Sequence, residues 1–170
     1  MWEYTGKQRP PFAEEPAPGQ ESVWDYPRPP ALVSYDGLVE VKHAGGTLAS
    51  THNALRVLET ASPPTYYLPP EAVDMTQLER TADGSFCEWK GKATYWALAR
   101  DPRRRPIGWS YEGPHESFAA IDGHLSFYPA LIACYVDAER VKPQPGQFYG
   151  GWITSRIAGP FKGGPGTGHW

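Results

Sequence analysis

Nineteen prolines and eighteen glycines are spread along this chain. They leave little room for long helices, because proline interrupts the helical hydrogen-bond ladder and glycine weakens it. The residues between them suit strands. Seven Trp, ten Tyr and six Phe accompany many Val, Ile and Thr, which fit a pleated, half-buried surface. With 170 residues the chain can build one domain around a proper hydrophobic core. The expectation is a mainly β fold with one or two short helices.

Three regions differ in composition. Residues 1–30 read as a Pro-rich arm, with Pro and Glu in no periodic order. Its Trp2, Tyr4, Phe12, Trp24 and Tyr26 predict packing onto the domain or onto a second copy. Residues 31–142 hold the strand-like segments and form the expected β core. Strands are predicted at Leu38–His43 and Thr47–Ala49 around a Gly45-Gly46 turn, then in the segments Ser85–Ala99, Ile107–Tyr111 and Leu131–Glu139. HNALRVLE fits a short helical turn or a strand. SPPTYYLPP gives a brief strand, and Pro70 suits the first turn of a short helix. Residues 143–170 form a Gly/Pro-rich C-terminal extension.

Charge and cysteine usage exclude several classes. A net charge of −3 and a pI of about 5.9 argue against a generic nucleic-acid or membrane-surface binder. No secretory-type apolar core and no run of ~18 apolar residues is present, so the expected setting is cytoplasmic. Cys87 and Cys134 are too few for a disulfide scaffold and are expected as free thiols. The five histidines show no HxH or HExxH spacing, there is no CxxC, and no metal site is expected. The sequence names no cofactor.

The segment FCEWKGKATYW carries the densest chemistry. On an unbroken strand, alternation places Cys87, Trp89 and Tyr95 on a buried face and sends Lys90 to the other. Cys87 then reads first as a small buried hydrophobe and second as a nucleophile activated by a nearby cation. In IDGHLSFYP the same rule groups Asp122, His124, Ser126 and Tyr128 as a polar face, with His124 a candidate general base. The ending GPFKGGPGTGHW has the glycines of a phosphate cradle, but Lys162 precedes them. A mobile or surface-draped terminus is the expectation there.

These pieces resemble a family, the small bacterial, archaeal and fungal proteins grouped as domain of unknown function 427. The matching motifs are ALRVLET with PPTYYLPPEAV, then CEWKGKATYW, IGWSY and IDGHLSFYP; the ending resembles a tail of longer members. Where many members have Pro between the cysteine and tryptophan, this chain has Glu88. The resemblance implies a single compact domain of strongly bent antiparallel sheets and no established activity. The family has carried a nucleotidyltransferase label. That chemistry needs a Gly-Gly or Gly-Ser loop before paired strand carboxylates. Asp137 and Glu139 are the nearest pair here, and no such loop precedes them.

Residues recurring in the family combine with the strand reading to give a candidate ligand site. It comprises Arg56, Glu59, Tyr67, Trp89, Lys90, Trp109, His124 and Tyr128, a few polar groups in an aromatic frame. The leading expectation is a small-molecule-binding β domain taking an anionic or aromatic ligand, with Lys90 and Arg56 holding the anion. An enzyme working in the same pocket through Cys87 or His124 is the second reading. An interaction module is the third, in which the arm and tail dock a partner or form a homodimer.

Overall fold

The computed structural model describes residues 1–87, 90–146 and 149–170. In the arm, β1 (Glu21–Ser22) leads into a 3-10 turn, Val23–Asp25, capped where Ser22 Oγ accepts from the Trp24 amide. β2 (Ala31–Tyr35) follows, a strand the sequence reading lacks. β3 (Val39–His43) and β4 (Gly46–Thr51) form the expected hairpin, turning at Ala44 and Gly45 with φ of +50° and +78°. The ambiguous ALRVL segment is strand β5 (Ala54–Leu58), held between β2 and β6 (Thr65–Tyr67). Thr51 Oγ1 accepts from the Asn53 amide at 2.9 Å, but it closes a turn and no helix follows. Pro70–Ala72 and Met75–Gln77 are single 3-10 turns.

The segment read as one strand from Ser85 to Ala99 is two. β7 (Leu78–Cys87) and β8 (Gly91–Leu98) are antiparallel, with Cys87 paired to Gly91. Gly91 has φ +86°, and a Cβ there would lie 2.9 Å from the Gly113 carbonyl oxygen. Only glycine re-enters the sheet at that point without strain. Alternation therefore stops at Cys87, and it no longer places Lys90 opposite the thiol. β7 runs through Asp83-Gly84 with a register shift between Arg80 and Gly84.

The charged turn RDPRRRP connects β8 to β9 (Pro106–Glu112), with Asp101 accepting from the Arg103 and Arg105 amides. GPHESFAA holds most of a 3-10 segment, Glu116–Ile121. β10 (Leu125–Phe127) and β11 (Ala133–Val136) follow. Asp137 and Ala138 turn at φ +49° and +68° into β12 (Glu139–Arg140), so Asp137 is a turn residue and shares no strand face with Glu139. The extension supplies β13 (Lys142–Pro143), β14 (Trp152–Ile153) and β15 (Ile157–Ala158).

Three antiparallel sheets make the body: β2-β5-β6, β12-β11-β3-β4 and β10-β9-β8-β7. Register shifts in the β3–β4, β7–β8 and β8–β9 pairings add local twist and bend the sheets. The fold is mainly β, and its helical content among the described residues is 3-10 turns. The main core gathers Val39, Val41, Leu48, Leu68 and Phe127, all buried, and it is completed by Trp152 from the extension. Trp152 stacks on Tyr66 with centroids 4.9 Å apart and donates Nε1–H to the Phe127 carbonyl at 3.0 Å.

The arm and extension pack within the chain. Parallel pairing of β1 with β15 joins them. Trp24 is fully buried among Tyr4, Phe12 and Trp170, with ring centroids 5.2–5.4 Å away. Trp24 and Trp152 thus have no exposed surface to offer a partner. The ending is docked, not draped: the Lys162 amide donates to the Ala61 carbonyl at 2.8 Å, and Trp170 stacks on Phe12.

Candidate functional site

Two sheets meet along one line. Leu68 and Leu125 exchange backbone hydrogen bonds of 2.7 and 2.9 Å, which tie the end of β6 to the start of β10. On the β5–β6 side, alternation turns Val57, Thr65 and Tyr67 to one face. On the β8–β9 side, Tyr95 lies directly opposite Trp109, and Tyr111 shares their face two residues on. Tyr128, just past β10, packs on Trp109 with centroids 4.6 Å apart.

A cavity of about 290 Å³ lies between these walls. Tyr67, Tyr95, Trp109, Tyr111 and Tyr128 line it, with Lys90 and Glu59 at its edges. Gln144, Tyr149, Gly150 and Lys162 of the extension close another side. Lys90 Nζ stands 5.4 Å from the Tyr111 ring centroid, within reach of a cation–π attraction.

Burial sets the electrostatics of the phenols. It pushes the Tyr67 hydroxyl well above the ordinary tyrosine range, and the bond donated by Trp109 Nε1 at 3.3 Å offsets part of that rise. Burial also raises Tyr111, opposed by the Lys90 charge, and takes Tyr128 up to about 12. All three are neutral donors at physiological pH. Among the described residues neither Tyr111 nor Tyr128 has a side-chain hydrogen-bond partner. Lys162 is buried, and desolvation, then the nearby Arg28, lowers its pKa.

The expected site residues divide. Glu59, Tyr67, Lys90, Trp109 and Tyr128 line the cavity together. Trp89 lies outside the described residues. Arg56 faces the other side of its sheet, because it alternates with Val57. It pairs with Glu21 at 2.7 Å and packs over Tyr35, fastening the arm to β5. His124 does not line the cavity. Gly123 at φ +73° breaks the alternation expected through IDGHLSFYP, and His124 Nδ1 reaches only the Asp122 carbonyl, at 3.5 Å. Of that foursome only Tyr128 lines the cavity; Asp122 holds the Gly113 amide and Ser126 is buried in the sheet.

Both cysteines are free. Cys134 is in the main core, where burial drives its thiol pKa far up. Cys87 is partly exposed at the end of β7, near Tyr67 and Tyr111. The Asp137 and Glu139 carboxylates are already engaged. Asp137 accepts from Tyr35, the Leu38 amide and Arg156, and Glu139 from Ser155. Among the described residues no cluster of three or more His, Cys, Asp or Glu is placed to hold a metal. No helix among them is long and apolar enough to cross a membrane.

Tyr95, Tyr111, Tyr149, Gln144 and Lys162 are lining residues that the sequence reading did not select. Tyr111 was within reach, since it is two residues from Trp109 on one strand. Tyr95 lies opposite Trp109 on the neighbouring strand, whereas Tyr149, Gln144 and Lys162 depend on the path of the extension.

Residues 31–142 match the family described as domain of unknown function (DUF427). The chain belongs to that family. Comparison with the curated proteins finds no match. The DUF427 segment supplies both aromatic walls and Lys90, whereas Gln144, Tyr149, Gly150 and Lys162 lie beyond it.

Proposed function

We propose that the cavity binds a small molecule consisting of one ring, or two fused rings, bearing an anionic group. The carrying observation is the combination of six aromatic side chains with Lys90 over Tyr111 in a space of about 290 Å³. That volume is at the low end of ordinary ligand sites, which span roughly 300–1,000 Å³. The aromatic faces stack on a ring. The ammonium and the Tyr111 and Tyr128 hydroxyls donate to anionic oxygens, an arrangement in which charge-assisted bonds give orientation as well as affinity. Of the four polar groups selected from sequence, Lys90 supports this reading through its place in the cavity; Glu59 lines the same cavity but is an anion, paired with Arg28 at 3.6 Å, and Arg56 and His124 play no part in it.

Tryptophan fluorescence tests the proposal, because Trp109 lines the cavity. Titration with benzoate and 1-naphthoate is expected to change the emission saturably, and Lys90→Gln to weaken both by about tenfold, the size of one lost charge-assisted bond. Naphthalene binding as tightly as naphthoate, or Lys90→Gln binding like the wild type, removes the anion from the proposal.

A further inference from the structure

Lys162 sits in the cavity wall but belongs to the extension, outside the DUF427 match. Its backbone is fixed at two points. The amide donates to Ala61 at 2.8 Å, and the carbonyl accepts from Gln144 Nε2 at 2.7 Å. Gln144 is buried and also holds the Gly151 amide at 3.0 Å through Oε1. The wall is seated closely as well. A Cβ on Gly150 would be 2.2 Å from Trp109 Cη2, and one on Gly163 1.8 Å from the Pro145 carbonyl oxygen.

The side chain is far less settled than this backbone. An ammonium has three donors. Lys162 Nζ uses one, toward the Trp170 carbonyl at 3.2 Å, and rests against the Trp2 ring at 4.4 Å. Among the described residues no Asp or Glu forms an ion pair with it; Glu59, in the same lining, favours its charge from beyond ion-pair distance and is itself paired with Arg28 at 3.6 Å. A lysine only 7% exposed with so few partners is costly to bury. An anion entering from the cavity offsets that cost.

We infer that the cavity has a second anion-binding end, built by the extension around Lys162, and that its preferred ligand is a ring carrying two anionic groups. This rests on the reading of the cavity as an anionic-ring site. Lys90 takes one group and Lys162 the other, so the extension selects dianions over monoanions. The DUF427 walls alone supply only the ring platform and the first cation.

The test uses the full chain with benzoate and the three benzene dicarboxylates, whose second carboxylates project at different angles. At least one dicarboxylate is expected to bind about tenfold tighter than benzoate, the gain from one further charge-assisted bond. Lys162→Gln should erase that preference, bringing the best dicarboxylate down to the affinity of benzoate. Lys162→Arg, which keeps the charge and the donors, should retain it and shows that loss in the glutamine variant is not unfolding. Equal affinity for benzoate and all dicarboxylates, or an equal loss of both classes in Lys162→Gln, overturns this inference while the single-anion site stands. Failure of every probe on the wild type overturns both.

Discussion

Trp109 donates its indole N–H to the Tyr67 hydroxyl at 3.3 Å, across the line where two sheets meet. The rings cross at 88° with centroids 6.2 Å apart. The bond fixes the angle between the two aromatic walls, and both partners are buried. Tyr67→Phe keeps the ring and removes the acceptor, leaving a buried donor unsatisfied at a cost of about 1–3 kcal/mol. For a chain of this size each kcal/mol lowers the melting temperature by roughly 2–4 °C. Calorimetry should therefore show a drop of several degrees. An unchanged melting temperature means the bond contributes nothing to holding the walls.

Asp137 makes the fold sensitive to acid. The bond from Tyr35, reinforced by the Leu38 amide and Arg156, holds its carboxyl below the ordinary value of 3.8. A group depressed in the folded state adds stability above its unfolded pKa and loses it as pH falls through the folded one. Asp137→Asn is a suitable probe, since asparagine tolerates the +49° φ at this position. Urea titrations should show the variant less stable by about 1 kcal/mol at pH 7. The two curves should converge as pH falls through the depressed folded pKa, below which the carboxyl is neutral in both states. A gap that stays constant through that fall rules out the carboxylate as its source.

The two thiols should behave very differently. Cys134 is fully buried with a strongly raised pKa, and the reactive form of cysteine is the thiolate. Cys87 is partly exposed beside Tyr67 and Tyr111. A colourimetric disulfide reagent should titrate one thiol in the folded protein and two in denaturant. Saturation with 1-naphthoate should slow the first reaction, because the thiol neighbours the cavity. Equal inertness of both thiols in the folded state removes Cys87 from any enzymatic reading of this site.

Period-two patterning marks several of the strands, and the residues recurring in the family add Tyr67, Trp109 and Tyr128, which line one cavity. The errors arose where the backbone leaves that pattern. Gly91 and Gly123, both at positive φ, interrupt alternation at the two motifs richest in chemistry. That is why Lys90 was separated from the wall it joins, and why His124 was credited with a face it does not share. Arg56 was legible as important but not as a link to Glu21, a contact 35 residues away in sequence. Lys162 was the least legible. Its place depends on Gln144, Gly150 and Gly163 seating the extension against the body, and no local period encodes such contacts.

Trp152 gives the last prediction, because it sits at the centre of the main core yet comes from outside the DUF427 match. It stacks on Tyr66 and bonds to the Phe127 carbonyl. Removing a buried tryptophan costs about 3–5 kcal/mol, a large share of the roughly 5–15 kcal/mol that holds a domain together. A fragment of residues 31–142 loses Trp152 and β14, and also the Glu21 partner of Arg56. It should lack the near-ultraviolet circular dichroism and dispersed amide spectrum of a packed core, whereas the full chain shows both. Trp152→Phe, which keeps a ring against Tyr66 but loses the bond to Phe127, should remain folded and be destabilised by a smaller amount. A fragment 31–142 that unfolds cooperatively with the stability of the full chain would show that the extension is an ornament on an independent domain.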